Sequence, residues 1–170
     1  MNTGPAKDIY LQPGEWWFGS QRRIRTVLGS CIALTLWHPA QRTGGMCHFM
    51  LPQRAKPVAA SEYDGRYADE AIALLLQQIA RLDHNPYHYQ VQMFGGGRMF
   101  GDPTQLADAG LSAVPRQNIE AAHRLLKAHR LHLIAEHVGD LGHRHIVFDL
   151  HSGLVELQHS PLPPAPGNRG

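Results

Sequence analysis

Between Ile32 and Leu51 the side chains alternate in two runs around a proline, and a pattern of that period permits little other than a β-hairpin. Ile32, Leu34 and Leu36 point to one side, and Cys31, Ala33, Thr35 and Trp37 to the other. His38-Pro-Ala-Gln41 reads as the turn, because Pro39 presets its backbone angle. Arg42 to Leu51 returns as the second strand and stops at Pro52. With those four residues in the turn, Trp37 faces Arg42, Leu36 faces Thr43 and Ile32 faces Cys47. Cys31 then stands directly opposite His48, with Cβ atoms about 5 Å apart. Phe49 and Leu51 join the apolar side, which belongs to the core, while the side carrying Cys31, Met46 and His48 borders a site. A slip of one residue would put Cys47 on the face of Cys31 instead, and the apolar pattern selects the first register.

The rest of the chain is read in the same terms. Residues 1–14 form an irregular lead-in broken by Pro5 and Pro13-Gly14. Arg23-Ile-Arg-Thr-Val-Leu28 is a strand ended by Gly29-Ser30. Gln53 to Gly65 is a loop, and Asp64 caps a helix over 66–82 whose Ala68, Ala71, Ile72, Leu75, Ile79 and Leu82 follow the helical period. Tyr89, Val91 and Met93 alternate on a strand running into Gly95-Gly-Gly97. A second helix spans Pro115 to His129, with proline in the first turn and Ile119, Ala122, Leu125 and Leu126 turned inward. Strands follow at 131–138, 145–150 and 154–157. Elements in this mixed order favour an α+β domain over a doubly wound one.

A chain of 170 residues with 43% apolar and 18% charged residues suits a single globular domain over 1–158, followed by a proline-rich disordered tail over 159–170. A net charge of +2 gives no sign of a nucleic-acid partner. No run suits a signal peptide or a membrane helix. Cys31 and Cys47 are the only cysteines, which reads as reduced cytoplasmic thiols rather than a disulfide framework.

Several side-chain groups outside the hairpin carry weaker signals. His143 and His145 share a strand face, and His137 or His151 would be needed to complete a metal site, but no acidic or cysteine ligand falls at a suitable spacing, so no metal or cofactor is expected. Gly95-Gly-Gly97 follows a strand as a phosphate loop does but lacks its lysine and serine, so a close-packed turn is expected. Arg22, Arg23 and Arg25 are read as a solvated edge, with electrostatic docking on an acidic partner as the other reading. Trp16 and Trp17 are expected to split, one ring inward and one partly exposed.

Cys31 and His48 carry the sharper reading. A free thiol, with a pKa near ~8.5, is mostly protonated at neutral pH. A neighbouring imidazole can take the proton, and the thiolate then attacks a carbonyl. Backbone amides near Cys31 are candidates to stabilise the oxyanion. By themselves a lone cysteine and histidine more often mark an inert core thiol than a reactive pair, and the inert reading is the one given to Cys47.

The stretches Thr26-Val-Leu-Gly-Ser-Cys31, Gly44-Gly-Met-Cys-His48-Phe-Met-Leu-Pro52, Phe94-Gly-Gly-Gly97 and Asn118-Ile119, in that order, resemble the chemoreceptor glutamine deamidase family CheD from about Ile9 to Leu157. The resemblance implies hydrolysis of glutamine amides to glutamate on methyl-accepting chemotaxis receptors, with Cys31 as nucleophile and His48 as its base. It implies Thr26 as the residue that orients His48. In some members this threonine lies one residue further from the cysteine, where this chain has Arg25, and Gly97 stands where alanine is usual. It also implies a layered mixed β core flanked by helices, a cytoplasmic location and, in some bacteria, a CheC phosphatase partner. Glutamate methylesterase activity is a secondary reaction reachable through the same thioester. A non-catalytic adaptor for receptors or a phosphatase, and a cysteine hydrolase for an unrelated amide, are the competing functions.

Overall fold

Alternating apolar and polar side chains build two stacked sheets in this protein, seen in a computed structural model that describes residues 7–99 and 113–161. The start of the expected lead-in and the tail beyond residue 161 lie outside the described residues. The strands are β1 (Ile9–Tyr10), β2 (Trp16–Ser20), β3 (Arg23–Leu28), β4 (Ile32–His38), β5 (Thr43–Phe49), β6 (Gln90–Gly95), β7 (His132–Val138), β8 (His143–Asp149) and β9 (Val155–Ser160). The helices are α1 (Ala68–Arg81) and α2 (Val114–Ala128). One sheet has the order β1-β3-β8-β9 and the other β2-β5-β4-β6-β7. Each contains one parallel pair, β1 with β3 and β6 with β7, and is otherwise antiparallel. This is the expected α+β class with a mixed, layered β core.

Both helices pack on the same face of the five-stranded sheet, giving three layers: helices, sheet, sheet. Ile32, Leu34, Leu36, Cys47 and Phe49 meet Ile72, Leu75, Ala122 and Leu126 in the core under the helices. Ala33, Met46 and Phe94 meet Ile24, Leu28, Ile146 and Phe148 in the core between the sheets. The five-stranded sheet is therefore buried on both faces. The second face of the hairpin is a second core as well as a border to the site, and the expectation of one apolar face is corrected. Trp16 packs against the first core and Trp17 against the second, both half-buried, so the tandem tryptophans split between two cores and not, as expected, between inside and outside.

The hairpin register differs from the expected one by two residues. His38 pairs with Thr43, Leu34 with Cys47 and Ala33 with His48. His38 belongs to the strand, and the connection is Pro39 to Arg42, closed by a 2.8 Å bond from the Arg42 N–H to the His38 carbonyl. Arg42 takes φ +48°, a left-handed turn position that an arginine does not advertise. Cys31 is thus not directly opposite His48 but two residues beyond its partner. A two-residue shift preserves the side-chain period, so Cys31 and His48 still share a face.

Three boundary readings also change. The lead-in contains β1, and β2 follows it, both short strands with little alternation to betray them. Asp64 does not cap α1: Tyr67 holds that position without a side-chain bond, and the Asp64 carboxylate instead accepts the Arg66 N–H at 2.9 Å. The last strand runs through Ser160, which pairs with His143.

Candidate active site

Three elements converge at one end of the space between the sheets. Thr26 lies on β3 between Ile24 and Leu28, so it faces the inter-sheet core, and it is 1% exposed. His48 lies on β5, on the face of the other sheet that looks back toward β3, and it too is 1% exposed. Their side chains meet: Thr26 Oγ1 is 2.7 Å from His48 Nδ1. Cys31, half-buried, sits where the chain crosses from β3 in one sheet to β4 in the other.

The donor roles at Thr26 follow from its second bond. Its hydroxyl donates to the Leu11 carbonyl at 2.8 Å, and a carbonyl can only accept. The Oγ1 lone pair is therefore what His48 meets, so Nδ1 carries the proton. Nε2 is left bare, and it is buried with no hydrogen-bond partner among the described residues. A neutral imidazole in this tautomer presents a proton acceptor at Nε2. Burial holds His48 neutral by lowering its pKa to about 4, partly opposed by the Glu15 carboxylate. Burial also raises the Cys31 thiol above its usual value, and a hydrogen bond with Ser30 pulls it part of the way back. The resting pair is thus thiol and imidazole, not thiolate and imidazolium. Cys47 is fully enclosed in the other core, its thiol pushed up to about 12 by burial.

The turn carrying Cys31 is tied to the body through successive carbonyls. Gly97 N–H donates to the Gly29 carbonyl at 2.9 Å and Gly96 N–H to the Cys31 carbonyl at 2.8 Å. Asn118 on α2 donates through Nδ2 to the Ser30 carbonyl at 3.2 Å and to the Met50 carbonyl at 2.9 Å. The glycine run is accordingly the close-packed turn expected of it: Gly95 has φ +113°, and a Cβ there would collide with the Cys31 carbonyl oxygen. Behind it lies Arg144, fully buried on β8. Its guanidinium donates to the Gly95 carbonyl at 3.2 Å, the Gly139 carbonyl at 2.8 Å and His137 Nδ1 at 2.8 Å. Reading His143-Arg-His145 for its histidines passed over the arginine, which alone of the three points into the core. Asn118 stood out only through the family resemblance, because a polar residue at an inward helical position has no distinctive spacing.

The other groups are placed as follows. His137 is engaged by Arg144, while His143 and His145 point to the opposite side of β8. Among the described residues no group of three or more His, Cys, Asp or Glu side chains has a metal-binding arrangement. Arg23 and Arg25 both bind the Asp8 carboxylate and Arg22 binds the Lys7 carbonyl, so the basic run is anchored locally. Among the described residues no helix is long and apolar enough to cross a membrane.

Fold and site together define a small α+β protein with a cysteine, a histidine and a threonine gathered between two sheets. The chain belongs to the CheD family: the profile described as "CheD chemotactic sensory transduction" matches residues 50–159. A protein of Pseudomonas savastanoi pv. phaseolicola named "Probable chemoreceptor glutamine deamidase CheD" is 47% identical over 165 residues, 95% of this chain and 90% of its own length. The relative in Dechloromonas aromatica, "Probable chemoreceptor glutamine deamidase CheD 3", is 44% identical over 92% of this chain and 91% of its own length. One in Leptospira interrogans, "Probable chemoreceptor glutamine deamidase CheD 1", is 32% identical over 89% of this chain and 92% of its own length.

Proposed function

We propose that the protein deamidates glutamine side chains of chemoreceptors, with Cys31 as nucleophile, His48 as general base and acid, and Thr26 as the residue that fixes the His48 tautomer. The observation that carries this reading is the Leu11–Thr26–His48 chain of hydrogen bonds, which leaves a bare, buried Nε2 on the face shared with Cys31. The names of relatives that align along nearly the whole chain supply the substrate class.

His48 Nε2 takes the Cys31 thiol proton as Sγ attacks the glutamine side-chain carbonyl carbon. The carbonyl π electrons move to oxygen, and a tetrahedral intermediate forms. Its collapse breaks the C–N bond, and the nitrogen receives the proton held on Nε2 and leaves as ammonia. Water then attacks the thioester while His48 Nε2 takes its proton; collapse breaks the C–S bond, the Cys31 sulfur takes that proton back from Nε2, and the glutamate carboxyl is left with both groups neutral again. Because both resting groups are neutral, proton transfer accompanies attack and no standing ion pair is needed. The same thioester is reachable from a glutamate methyl ester with methanol as leaving group, so methylesterase activity is a secondary reaction of this site.

The test is incubation of a chemoreceptor cytoplasmic fragment with the protein, read by mass spectrometry for conversion of amide to acid. The wild type converts specific glutamines, and Cys31→Ala and His48→Gln do not. Thr26→Val lowers kcat by about tenfold or more, bounded above by the ~10²–10⁴ that a positioned base supplies, and Thr26→Ser restores most of it. Full activity in Cys31→Ala would sink the mechanism; binding without conversion by the wild type would favour a non-catalytic adaptor.

A further inference from the structure

We propose that Asn118 is a positioning residue of the oxyanion hole, turning the backbone N–H of Cys31 toward the substrate carbonyl beside the Ser30 N–H, which the bond from Gly97 to the Gly29 carbonyl orients. The inference rests on the deamidase reading and names the donors that reading needs.

Peptide geometry sets where these amides point. In a trans peptide the C=O of one residue and the N–H of the next point in opposite directions. The Gly29 carbonyl is held toward Gly97, so the Ser30 N–H points away from Gly97. The Ser30 carbonyl is held toward Asn118 Nδ2, so the Cys31 N–H points away from Asn118. The Cys31 carbonyl is held toward Gly96, closing the turn on its far side. Among the described residues neither the Ser30 N–H nor the Cys31 N–H has a hydrogen-bond partner, and both residues are only half-buried, beside the half-buried thiol. Two unpaired amides next to a nucleophile, fixed before substrate arrives, are what stabilises negative charge developing on a carbonyl oxygen.

Among the described residues Asn118 is the one side chain that holds a carbonyl of this turn. It is fully buried, and its Oδ1 has no hydrogen-bond partner among the described residues, a cost an apolar side chain would avoid. Its Nδ2 commits both hydrogens to carbonyls that flank the reactive pair, Ser30 just before Cys31 and Met50 two residues after His48. One amide group thus ties the nucleophile turn to the end of the strand bearing the base. When Sγ bonds to the substrate carbon, the carbonyl electron pair moves onto oxygen, and the Cys31 and Ser30 amides meet that charge. The charge returns to re-form the C=O as ammonia leaves.

The experiment compares wild type with Asn118→Ala on a receptor fragment that the wild type deamidates. The expected result is a fall in kcat of about tenfold to a hundredfold, up to the lower edge of the ~10²–10³ lost with an oxyanion donor itself because the amides remain and only their positioning is lost, with KM changed less than about threefold. Iodoacetamide alkylation of Cys31, which develops no oxyanion, keeps its rate and pH profile. A folded Asn118→Ala with kcat near wild type, or with alkylation falling in step with kcat, overturns the proposal. A second arm uses the wild type alone and decides the matter if Asn118→Ala does not fold. A receptor peptide whose target glutamine is replaced by the γ-aldehyde adds to the Cys31 thiol, and the amide protons of Ser30 and Cys31 shift downfield in the 1H–15N spectrum more than those of their neighbours. Adduct formation that leaves both unmoved refutes the assignment. Wild-type failure on every receptor fragment counts against the deamidase reading, whereas wild-type activity with an indifferent Asn118 counts against this inference alone.

Discussion

Thr26 governs His48 through a single proton. Because the Leu11 carbonyl consumes the hydroxyl hydrogen, Thr26 can only accept from the imidazole, and the tautomer is set without any carboxylate. A carboxylate there would stabilise imidazolium; a hydroxyl does so far less, and burial takes the His48 pKa down to about 4, opposed in part by Glu15. This has a consequence for stability. An unfolded histidine titrates near ~6.5, so between about 6.5 and about 4 the unfolded chain binds a proton at His48 that the fold does not. The contribution of His48 is therefore fully present above the unfolded value and is lost as pH falls through this window, by at most roughly 1.4 kcal/mol per pH unit. Burial lowers the pKa of His38 and His137 as well, so they add to the wild-type slope in the same direction. Urea unfolding from pH 7 to pH 4 should accordingly show a shallower loss of stability in His48→Gln than in the wild type. Parallel slopes would mean that His48 titrates normally in the fold.

Among the elements, the turns decide more than the strands. β3 was legible to the residue and β4 nearly so, because apolar alternation over six or seven positions matches the period of a strand and not that of a helix. The register of β4 on β5 was not, because Arg42 adopts a left-handed turn conformation for which its side chain gives no cue. β1 and β2 were missed because they are short and take their pairing from distant strands, β3 and β5. The glycine turn after β6 makes the point testable. Gly95 and Gly139 both have positive φ, +113° and +80°, but a Cβ on Gly95 collides with the Cys31 carbonyl whereas one on Gly139 meets nothing within 4 Å. Gly139→Ala should cost only its backbone strain, roughly 1–2 kcal/mol. Gly95→Ala should add overpacking, for about 3 kcal/mol or more in all, and should disturb Cys31 alkylation as well. Equal losses in urea unfolding would argue against the close packing of the two turns.

On the scale of the whole molecule, two stacked sheets and a helical layer sort the two cysteines. Cys47 faces the helices and Cys31 lies at the edge of the inter-sheet space, so in the native protein a disulfide-exchange reagent should titrate one thiol, rising to two in denaturant. Cys31→Ala should leave none reactive in the native state, and its wild-type rate should climb with pH, as burial raises that thiol. Rapid native labelling of Cys47 would contradict the layer order. The amino-acid sequence by itself determined the hairpin, the helices and the common face of Cys31 and His48, because side-chain period survives a register error of two residues. It also carried the motif order that matches the family. Only the tertiary structure decided that Thr26 reaches His48, that Arg144 backs the glycine turn and that Asn118 holds the nucleophile turn. Each of those contacts joins residues from different sheets, strands or layers, and the local periodicities that announce strands and helices carry no information about which side chains meet across a core.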